Sequence, residues 1–379
     1  MVRRTIGRSS KIQNVNGSLS KEDGPMVDEN TTIRHWRFIS TPGDKFFRRE
    51  CSLVSSWGVA DSMKGKRVVV TGGAGFIGSH LVWSLCEDNE VTVIDNLSTG
   101  KIENISALID EGKIRFVRGS VTDLKLLKRI LKGVDFVFHE AAIPSVTRSV
   151  RDPLATNEAG ITGTLTTLVA SRDCGIEKFV FASSSSVYGG TPTLPKHEGM
   201  ALNPKSPYAL TKVTCENYCD LFSELYDLTT LSLRYFNVYG PRQDSGSQYG
   251  AVIPRFIAKA LVGEDLVIFG DGNQTRDFTY VQDVVRANLL AAGSKAKGNY
   301  NVASGKRTRI RDLASAIIDD YGGRARVKYE SPRSGDIRHS LADIAKARKA
   351  FGYTPEYSMA RGLKETLTWF VKRDSWVRE

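Results

Sequence analysis

From residue 66 onwards the chain alternates between short apolar runs and longer segments of mixed polarity. The runs are rich in β-branched residues and apolar almost throughout, as is typical of strands that are covered on both faces. They read "RVVVTG", "EVTVID", "IRFVRG", "VDFVFHEA", "KFVFASS" and "TTLSLRY". Helix-like segments lie between most of them, at 77–88, 103–111, 123–132 and 155–173. This alternation predicts a Rossmann-like α/β fold, a doubly wound parallel sheet.

Two regions depart from this pattern. Residues 1–62 have few periodic apolar runs, so we expect either a poorly ordered extension or a small partner-binding element. Met63 directly precedes the first strong strand and is a candidate start. After about residue 240 the pattern is irregular, which predicts a smaller C-terminal α/β cap on the carboxyl edge of the sheet. The helices expected there lie near 255–262, 281–292, 309–320 and 359–372.

The composition is that of an ordinary globular protein, with 379 residues, 41% hydrophobic and 25% charged. The net charge of +11 is spread along the chain without long basic runs, so no nucleic-acid partner is predicted. The apolar runs are short and interrupted by glycine, which predicts no membrane span, and the N-terminus lacks a secretory apolar region. The five cysteines show no CxxC spacing, which argues against disulfides and a metal site. We therefore expect a cytoplasmic protein.

The first strand leads into "TGGAGFIGSH", in which Gly72, Gly75 and Gly78 follow GxxGxxG spacing. A simple turn is the alternative explanation of such a loop. Here a helix follows and the next strand ends in Asp95, 23 residues beyond Gly72. An acid at that place accepts hydrogen bonds from ribose hydroxyls and repels a 2′-phosphate. The segment therefore predicts binding of NAD rather than NADP.

Two further stretches carry candidate chemistry. In "SPYALTK", Tyr208 and Lys212 are four residues apart in a helical segment. Such pairs are common on helix surfaces, but an ammonium close to a phenol favours the phenolate, which is a general base. The strand "KFVFASS" continues into four serines, Ser183 to Ser186, and then Tyr188. A serine run often marks a turn, yet hydroxyls at the carboxyl end of a central strand face the cofactor crevice.

Together the glycine loop, "SSSSVYG", the Tyr208–Lys212 pair, "RYFNVYGPRQ" and "RSGDIRHSLAD" resemble the extended short-chain dehydrogenase/reductase family. Within it they are similar to the nucleotide-sugar 4-epimerases, most of all to the UDP-N-acetylglucosamine 4-epimerase branch, over about residues 64–375. The resemblance implies an NAD-binding domain at 63–240 that includes the catalytic residues. It implies a mainly substrate-binding cap at 241–379, with some segments returning to the first domain.

The resemblance also implies catalytic roles. Tyr208 would remove the proton from the C4 hydroxyl of the sugar, Lys212 would favour its phenolate and bind the nicotinamide ribose, and Ser184 would hydrogen-bond the C4 oxygen. Hydride would leave C4 for NAD+, and the 4-keto sugar would rotate and take the hydride back on its other face. Related dehydratases and decarboxylases carry acids just after the serine. Here those positions are Ser185 and Ser186, which disfavours 4,6-elimination.

The binding residues carried over from the resemblance form two sets. Those expected at the cofactor are Gly72, Gly75, Phe76, Ile77, Gly78, Asp95, Asn96, Ser98, Thr99, Gly100, Ser120, Val121, Ala141, Ala142, Tyr208, Lys212 and Tyr235. Those expected at the UDP-sugar are Ser145, Ser184, Ser185, Ser186, Asn237, Val252, Phe269, Arg276, Arg333, Asp336 and Ser340.

Substrate preference depends on two features. Arg276 and Arg333 match arginines that clamp the diphosphate, although a surface salt bridge would be the better explanation of an isolated arginine. Ser340 occupies a position at which glucose-restricted epimerases carry tyrosine, and serine leaves room for an N-acetyl group. Ala251 likewise replaces an asparagine frequent in glucose-only enzymes. We expect UDP-N-acetylglucosamine and UDP-N-acetylgalactosamine as substrates; UDP-glucose, uronic acid forms and a non-catalytic dinucleotide-binding protein remain alternatives.

Four other residues receive structural interpretations. His139 and His80 are expected to pack or cap rather than shuttle protons, because Tyr208 and Lys212 already supply acid–base chemistry. Cys215 and Cys219 are expected to be buried thiols on the sheet-facing side of the Tyr208 helix. The resemblance further implies that this helix joins its counterpart in a homodimer.

Overall fold

The computed structural model describes residues 63–244, 251–321, 324–332 and 337–378. The predicted N-terminal extension and the substrate residues Arg333 and Asp336 lie outside the described residues.

A seven-stranded, wholly parallel sheet forms the centre of this part of the chain. Its strands are β1 Arg67–Thr71, β2 Glu90–Asp95, β3 Ile114–Arg118, β4 Phe136–His139, β5 Lys178–Ser184, β6 Thr229–Tyr235 and β11 Gly298–Val302. The spatial order is β11-β6-β5-β4-β1-β2-β3, the doubly wound arrangement with a switch point between β1 and β4. The predicted fold is confirmed, and all six strands expected from the apolar runs are present.

Helices cover both faces of this sheet, and further helices belong to the C-terminal part of the chain. The α-helices of the described residues are, in the order of the chain, α1 Phe76–Leu85, α2 Ser106–Asp110, α3 Leu124–Ile130, α4 Val146–Arg151, α5 Pro153–Asn157, α6 Gly163–Asp173, α7 Pro207–Leu225, α8 Val252–Leu261, α9 Val281–Gly293, α10 Ile310–Tyr321, α11 Ala345–Phe351 and α12 Met359–Arg378. Successive strand residues face opposite layers. Val68 and Val70 join one apolar cluster, and Val69 joins the other. The sheet is therefore buried on both sides, as its apolar runs require.

The smaller C-terminal part has its own apolar cluster, to which α8, α10 and α12 contribute. Its strands are β7 Val238–Tyr239, β8 Leu266–Phe269, β9 Thr275–Arg276, β10 Thr279–Tyr280, β12 Thr308–Arg309 and β13 Val327–Glu330. They form three two-stranded sheets, β10 with β7, β12 with β9 and β13 with β8. Between these elements the chain returns to the large sheet through β11, which pairs with β6.

Two features of the helices differ from the sequence-based expectation. The helix predicted at 155–173 is a succession of α5, a π-helical turn at Glu158–Thr162 and α6. The short helices α4 and α11 were not predicted. Among the described residues, no helix combines the length and apolarity that crossing a bilayer requires.

Candidate active site

The loop between β1 and α1 is built around glycines that leave no space for a side chain. Gly72 has a φ of +70°, and a Cβ there would lie 2.7 Å from the backbone N of Ala141. A Cβ on Gly78 would lie 2.3 Å from the carbonyl oxygen of Gly72. The loop therefore packs directly against the segment after β4 and against the first turn of its own helix. The N–H groups of that turn have no partner within the helix, so they are available to an anion such as a pyrophosphate.

Asp95 ends β2 beside this loop and is almost fully buried. Its two carboxyl oxygens accept hydrogen bonds from the backbone N–H of Ala74, at 3.0 Å, and of Leu97, at 2.8 Å. Burial raises the pKa of this carboxyl, and the two backbone donors act in the opposite direction. Each oxygen still has a lone pair for a ribose hydroxyl.

Tyr208 and Lys212 lie in the first turns of α7. The helix starts there because the side chain of Ser206 accepts a hydrogen bond from the N–H of Ala209 and Pro207 stands at the first helical position. Lys212 Nζ donates to the carbonyl oxygen of Ala182, at 2.6 Å, and lies 5.8 Å from the centre of the Tyr208 ring. The sheet thus anchors the ammonium close to the phenol.

The four serines at the end of β5 point to different places, because successive strand residues face opposite sides. Ser183 lines the cleft but is buried, and its hydroxyl donates to Glu216 Oε1 instead of facing the crevice as expected. Ser184 caps a 3₁₀ turn by accepting from the N–H of Ser186 at 3.2 Å. Ser185 and Ser186 belong to that turn, and the buried Ser186 Oγ has no hydrogen-bond partner among the described residues.

A buried ion pair lies beneath these residues. Arg234 on β6 binds Glu216 on α7 through two hydrogen bonds, of 2.9 and 2.7 Å, and also donates to Tyr188 Oη at 2.8 Å. Tyr188 Oη donates to Asn301 Oδ1 on β11. Burial is the main reason that the pKa of Tyr188 is raised to about 12. The network joins β5, β6, β11 and α7 directly below the candidate catalytic groups.

Two buried histidines, His139 at the end of β4 and His80 on α1, have hydrogen-bonding partners inside the protein. His139 is fully buried between Thr71, at 2.8 Å, and Thr164, at 3.0 Å, and burial lowers its pKa to about 3. His80 is also buried and contacts the carbonyl oxygen of Pro241. Both histidines have the packing environments expected for them. The next residue, Glu140, accepts from Tyr235 Oη at 2.8 Å.

The glycine loop, Asp95 and the Tyr208–Lys212 pair border one cleft of about 420 Å³. It extends from Asp95 and the glycine loop at one end to Tyr208 and Lys212 at the other. The predicted cofactor residues in its wall are Gly72, Gly75, Phe76, Ile77, Gly78, Asp95, Asn96, Ser98, Thr99, Ser120, Val121, Ala141, Ala142, Tyr208, Lys212 and Tyr235. Ser145 and Ala251 also line it.

Sequence reasoning missed several polar residues of this wall, namely Lys101, Asn104, Glu140, Arg148, Arg242, Gln243 and Asp244. Signals existed for some of them: Glu140 is a charged residue directly after an apolar strand, in "FHEAA", and Arg242 and Gln243 end the motif "RYFNVYGPRQ". Nothing in the sequence marks Asn104 and Arg148, which reach the cleft through the fold.

Three of the predicted substrate residues, Asn237, Arg276 and Ser340, lie on β9 or contact it and the residue after it. Arg276 is on this strand, and its Nη1 donates to the carbonyl oxygen of Thr275 at 3.0 Å. Ser340 donates its backbone N–H to the same oxygen, at 3.1 Å. Asn237 Nδ2 donates to the carbonyl oxygen of Asp277, next to Arg276. Phe269 ends β8, and Val252 begins α8. The fold therefore brings together residues that are up to 103 positions apart, from 237 to 340.

The site has the features that NAD requires. Its glycine loop has no side chain that would obstruct a pyrophosphate, an acid stands where a ribose would lie, and the cleft connects both to Tyr208 and Lys212. When bound, the cofactor supplies a hydride acceptor.

Comparisons with known proteins agree with this geometry. The model of the NAD dependent epimerase/dehydratase family matches residues 68–303. A putative UDP-glucose 4-epimerase from Methanocaldococcus jannaschii is 42% identical over 305 residues, covering 80% of this chain and 97% of the relative. The solved UDP-N-acetylglucosamine 4-epimerase from Methanobrevibacter ruminantium, in complex with UDP-N-acetylmuramic acid, is 45% identical with a TM-score of 0.79, covering 82% of this chain and 99% of its own. The UDP-glucose 4-epimerase from Thermus thermophilus, in complex with NAD, is 37% identical with a TM-score of 0.74, covering 80% and 99%.

The chain therefore belongs to the NAD-dependent epimerase/dehydratase family. The class predicted from the sequence, an NAD-dependent enzyme of the UDP-sugar 4-epimerase family, is confirmed, and so is NAD as its cofactor.

Proposed function

We propose that this enzyme interconverts UDP-N-acetylglucosamine and UDP-N-acetylgalactosamine by inverting C4 of the sugar. The observation that carries the proposal is the single cleft that joins the glycine loop to Tyr208 and Lys212. A phenol beside an anchored ammonium provides a base at one end, and the glycine loop provides a pyrophosphate site at the other. A cofactor spanning the cleft would therefore present its nicotinamide to the base.

The proposed chemistry uses three side chains. Tyr208 accepts the proton of the C4 hydroxyl while hydride leaves C4 for the nicotinamide, which oxidises the sugar to a 4-ketone. Ser184 uses the oxygen of its hydroxyl to cap the following turn, and its O–H remains able to donate to the C4 oxygen. Lys212, fixed on the carbonyl oxygen of Ala182, holds its ammonium beside the Tyr208 ring. After the 4-keto sugar rotates, return of the hydride to the opposite face of C4 and of the proton from Tyr208 to the C4 oxygen would give the epimer.

The preference for N-acetylated sugars rests on the small side chain of Ser340. Its backbone is tied to β9 beside Arg276, a residue suited to bind a diphosphate. A tyrosine at this place would fill the space that an N-acetyl group requires, whereas serine leaves it open. A small residue admits the larger sugar without excluding the smaller one, so UDP-glucose can be a second substrate.

The test is to incubate the enzyme separately with UDP-N-acetylglucosamine and UDP-glucose and to identify the sugars by chromatography after equilibration. We expect the N-acetylated pair to interconvert. Ser340→Tyr should abolish its turnover selectively, while Ser315→Tyr, on the exposed side of α10, serves as a size-matched control. Equal loss of both activities in Ser340→Tyr would contradict the assigned role of Ser340.

Two rival functions make different predictions in the same assay. A UDP-glucose 4-epimerase, the activity named for two of the relatives, would turn over only the sugar without the N-acetyl group. A uronate-specific enzyme would leave both substrates unchanged and epimerise UDP-glucuronate. A non-catalytic dinucleotide-binding protein would form no epimer from any of the three.

We further propose that the enzyme works as a homodimer. Helices α4 and α5 pack against α7, and the three helices expose six large apolar side chains on neighbouring surfaces. These are Val146, Val150, Leu154, Leu210, Leu221 and Leu225. A surface of this kind is typical of an interface.

A further inference from the structure

Glu140 is a partly buried carboxyl that the proposed reaction does not use. It lines the cleft at the end of β4, and its Oε1 accepts a hydrogen bond from Tyr235 Oη at 2.8 Å. Asn288 Nδ2 on α9 donates to the same phenol oxygen, also at 2.8 Å. Glu140 is therefore held at a defined place, in the same wall as Lys212.

The position of Glu140 matters because Lys212 is buried. A buried ammonium is stable when an opposite charge compensates it. Glu216 lies one turn further along α7 but is already paired with Arg234. Asp95 lies at the other end of the cleft, where backbone N–H groups bind it. Glu140 is thus the carboxyl suited to balance Lys212.

The neighbouring titratable groups do not replace this charge. His139 is neutral, because burial lowers its pKa to about 3. Burial raises the pKa of Tyr235 well above its usual value, so this phenol also stays neutral. Burial raises the pKa of Glu140 itself to about 7, against the opposing effects of the Tyr235 hydrogen bond and the Lys212 charge. The phenol of Tyr208 lines the same cleft as Glu140. The test below therefore uses a variant that lacks this phenol, so that Glu140 alone is under study.

Building on the proposed reaction, we propose that Glu140 is a positioning residue whose negative charge balances Lys212 and stabilises the oxidised nicotinamide relative to the reduced one. The oxidised ring is a cation and the reduced ring is neutral, so a nearby anion stabilises only the oxidised form. In the reaction, two electrons and a hydrogen nucleus leave C4 as hydride and reduce NAD+ to NADH, while the hydroxyl proton goes to Tyr208. Glu140 neither gains nor loses a proton or electrons in this step. Because its charge stabilises the oxidised nicotinamide relative to the reduced one, it favours return of the hydride to the sugar.

The test measures cofactor preference directly. In the full chain carrying Tyr208→Phe, which removes the phenol from the titration, added NADH displaces bound NAD+ and the fluorescence of bound NADH reports the affinity ratio. We expect the preference for NADH to rise about fivefold as the pH falls from one unit above to one unit below the Glu140 pKa of about 7. Adding Glu140→Gln should raise the preference for NADH about tenfold at the higher pH and abolish its pH dependence. Glu140→Asp, which keeps the charge, should retain the dependence.

Two outcomes would overturn the proposal: a pH dependence that survives in Glu140→Gln, or an unchanged affinity ratio in that variant. If circular dichroism shows that Glu140→Gln does not fold, the pH profiles of Tyr208→Phe alone and of Tyr208→Phe with Glu140→Asp decide. An affinity ratio in Tyr208→Phe that does not vary with pH would then overturn the proposal. The measurement needs no turnover. A protein that binds both nicotinamide forms but epimerises no sugar would refute the proposed function and leave this test intact.

Discussion

At the scale of single residues, the site depends on how Tyr208 and Lys212 are held rather than on their spacing alone. Many helices carry such a pair four residues apart. Here the Lys212 ammonium is fixed by the carbonyl oxygen of Ala182 and stacks 4.7 Å from the centre of the Phe181 ring. The charge therefore stays beside the phenol instead of extending into solvent, as a surface lysine would.

This arrangement predicts the effect of removing the phenol oxygen. Tyr208→Phe should lower epimerisation by about 10² to 10⁴-fold, the usual loss when a general base is removed, while the protein retains NAD because the glycine loop is unchanged. Chromatography of the UDP-sugars gives the rate, and extraction of the protein gives its NAD content. Tyr218→Phe, on the same helix but outside the cleft wall, is the matched control. A Tyr208→Phe enzyme within twofold of the wild type would exclude Tyr208 as the base.

Asp283 provides a pH-dependent prediction. Its carboxyl oxygens accept from the N–H groups of Glu356 and Tyr357, joining α9 to the segment before α12, and burial raises its pKa to about 6. Because the pKa is higher in the folded than in the unfolded state, the folded protein binds more protons between about pH 4 and about pH 6. The stabilisation from this group is complete below about pH 4 and is lost as the pH rises through about 6.

Asp283→Asn should therefore cost more stability at low pH than at pH 7, by an amount on the order of 2 kcal/mol. Urea unfolding of both proteins across this pH range provides the measurement. Asp319→Asn, an exposed change on α10, is the control for removing a carboxylate from a helix surface. A stability difference that does not vary with pH in Asp283→Asn would show that Asp283 titrates normally.

At the scale of elements, the buried pair Arg234–Glu216 fixes α7 to β6, and Glu216 also binds Ser183 of β5. The side chains of the pair are 3% and 1% exposed, so either charge would be costly alone. Glu216→Gln should destabilise the fold by about 3–5 kcal/mol, because it leaves the guanidinium buried without a full counter charge. The exposed pair Lys259–Glu264 gives the control, since Glu264→Gln should cost less than about 1 kcal/mol. Unfolding in denaturant measures the loss of stability in each variant. Similar losses would show that Glu216 does not compensate the buried charge of Arg234.

The elements also show which features the sequence can predict. The glycine loop, Asp95 and the Tyr208–Lys212 pair are recognisable because each motif lies within one strand–loop–helix segment. In contrast, Glu140 meets Tyr235 across 95 positions, and that contact exists only once β4 and β6 are in place. Strand β11, "GNYNV", was not predicted because it begins with partly exposed polar residues and lacks a long apolar run. Local chemistry was therefore accessible from the sequence, and the polar networks that hold it were not.

At the scale of the whole molecule, the surface formed by α4, α5 and α7 predicts assembly. Val146 and Val150 are about one turn apart on α4, Leu154 lies on α5, and Leu210 and Leu221 are three helical turns apart on α7. The exposed fractions on this surface run from 46% for Leu221 to 81% for Leu154. Two copies that meet through this surface would bury it around a common axis, in the self-complementary way of twofold dimers. Since α7 also carries Tyr208 and Lys212, the interface would brace the catalytic helix.

We expect the wild type to sediment as a dimer at micromolar concentration in analytical ultracentrifugation. The double change Leu221→Glu and Leu225→Glu should shift it to a monomer, because two carboxylates would be buried in the interface without partners. Val262→Glu places the same charge on an equally exposed apolar residue beyond α8 and should leave the dimer intact. A monomeric wild type, or a double variant that remains as dimeric as Val262→Glu, would refute the assignment of this surface. If the dimer braces α7, the monomeric variant should also lose epimerase activity in parallel with its mass, whereas Val262→Glu keeps both.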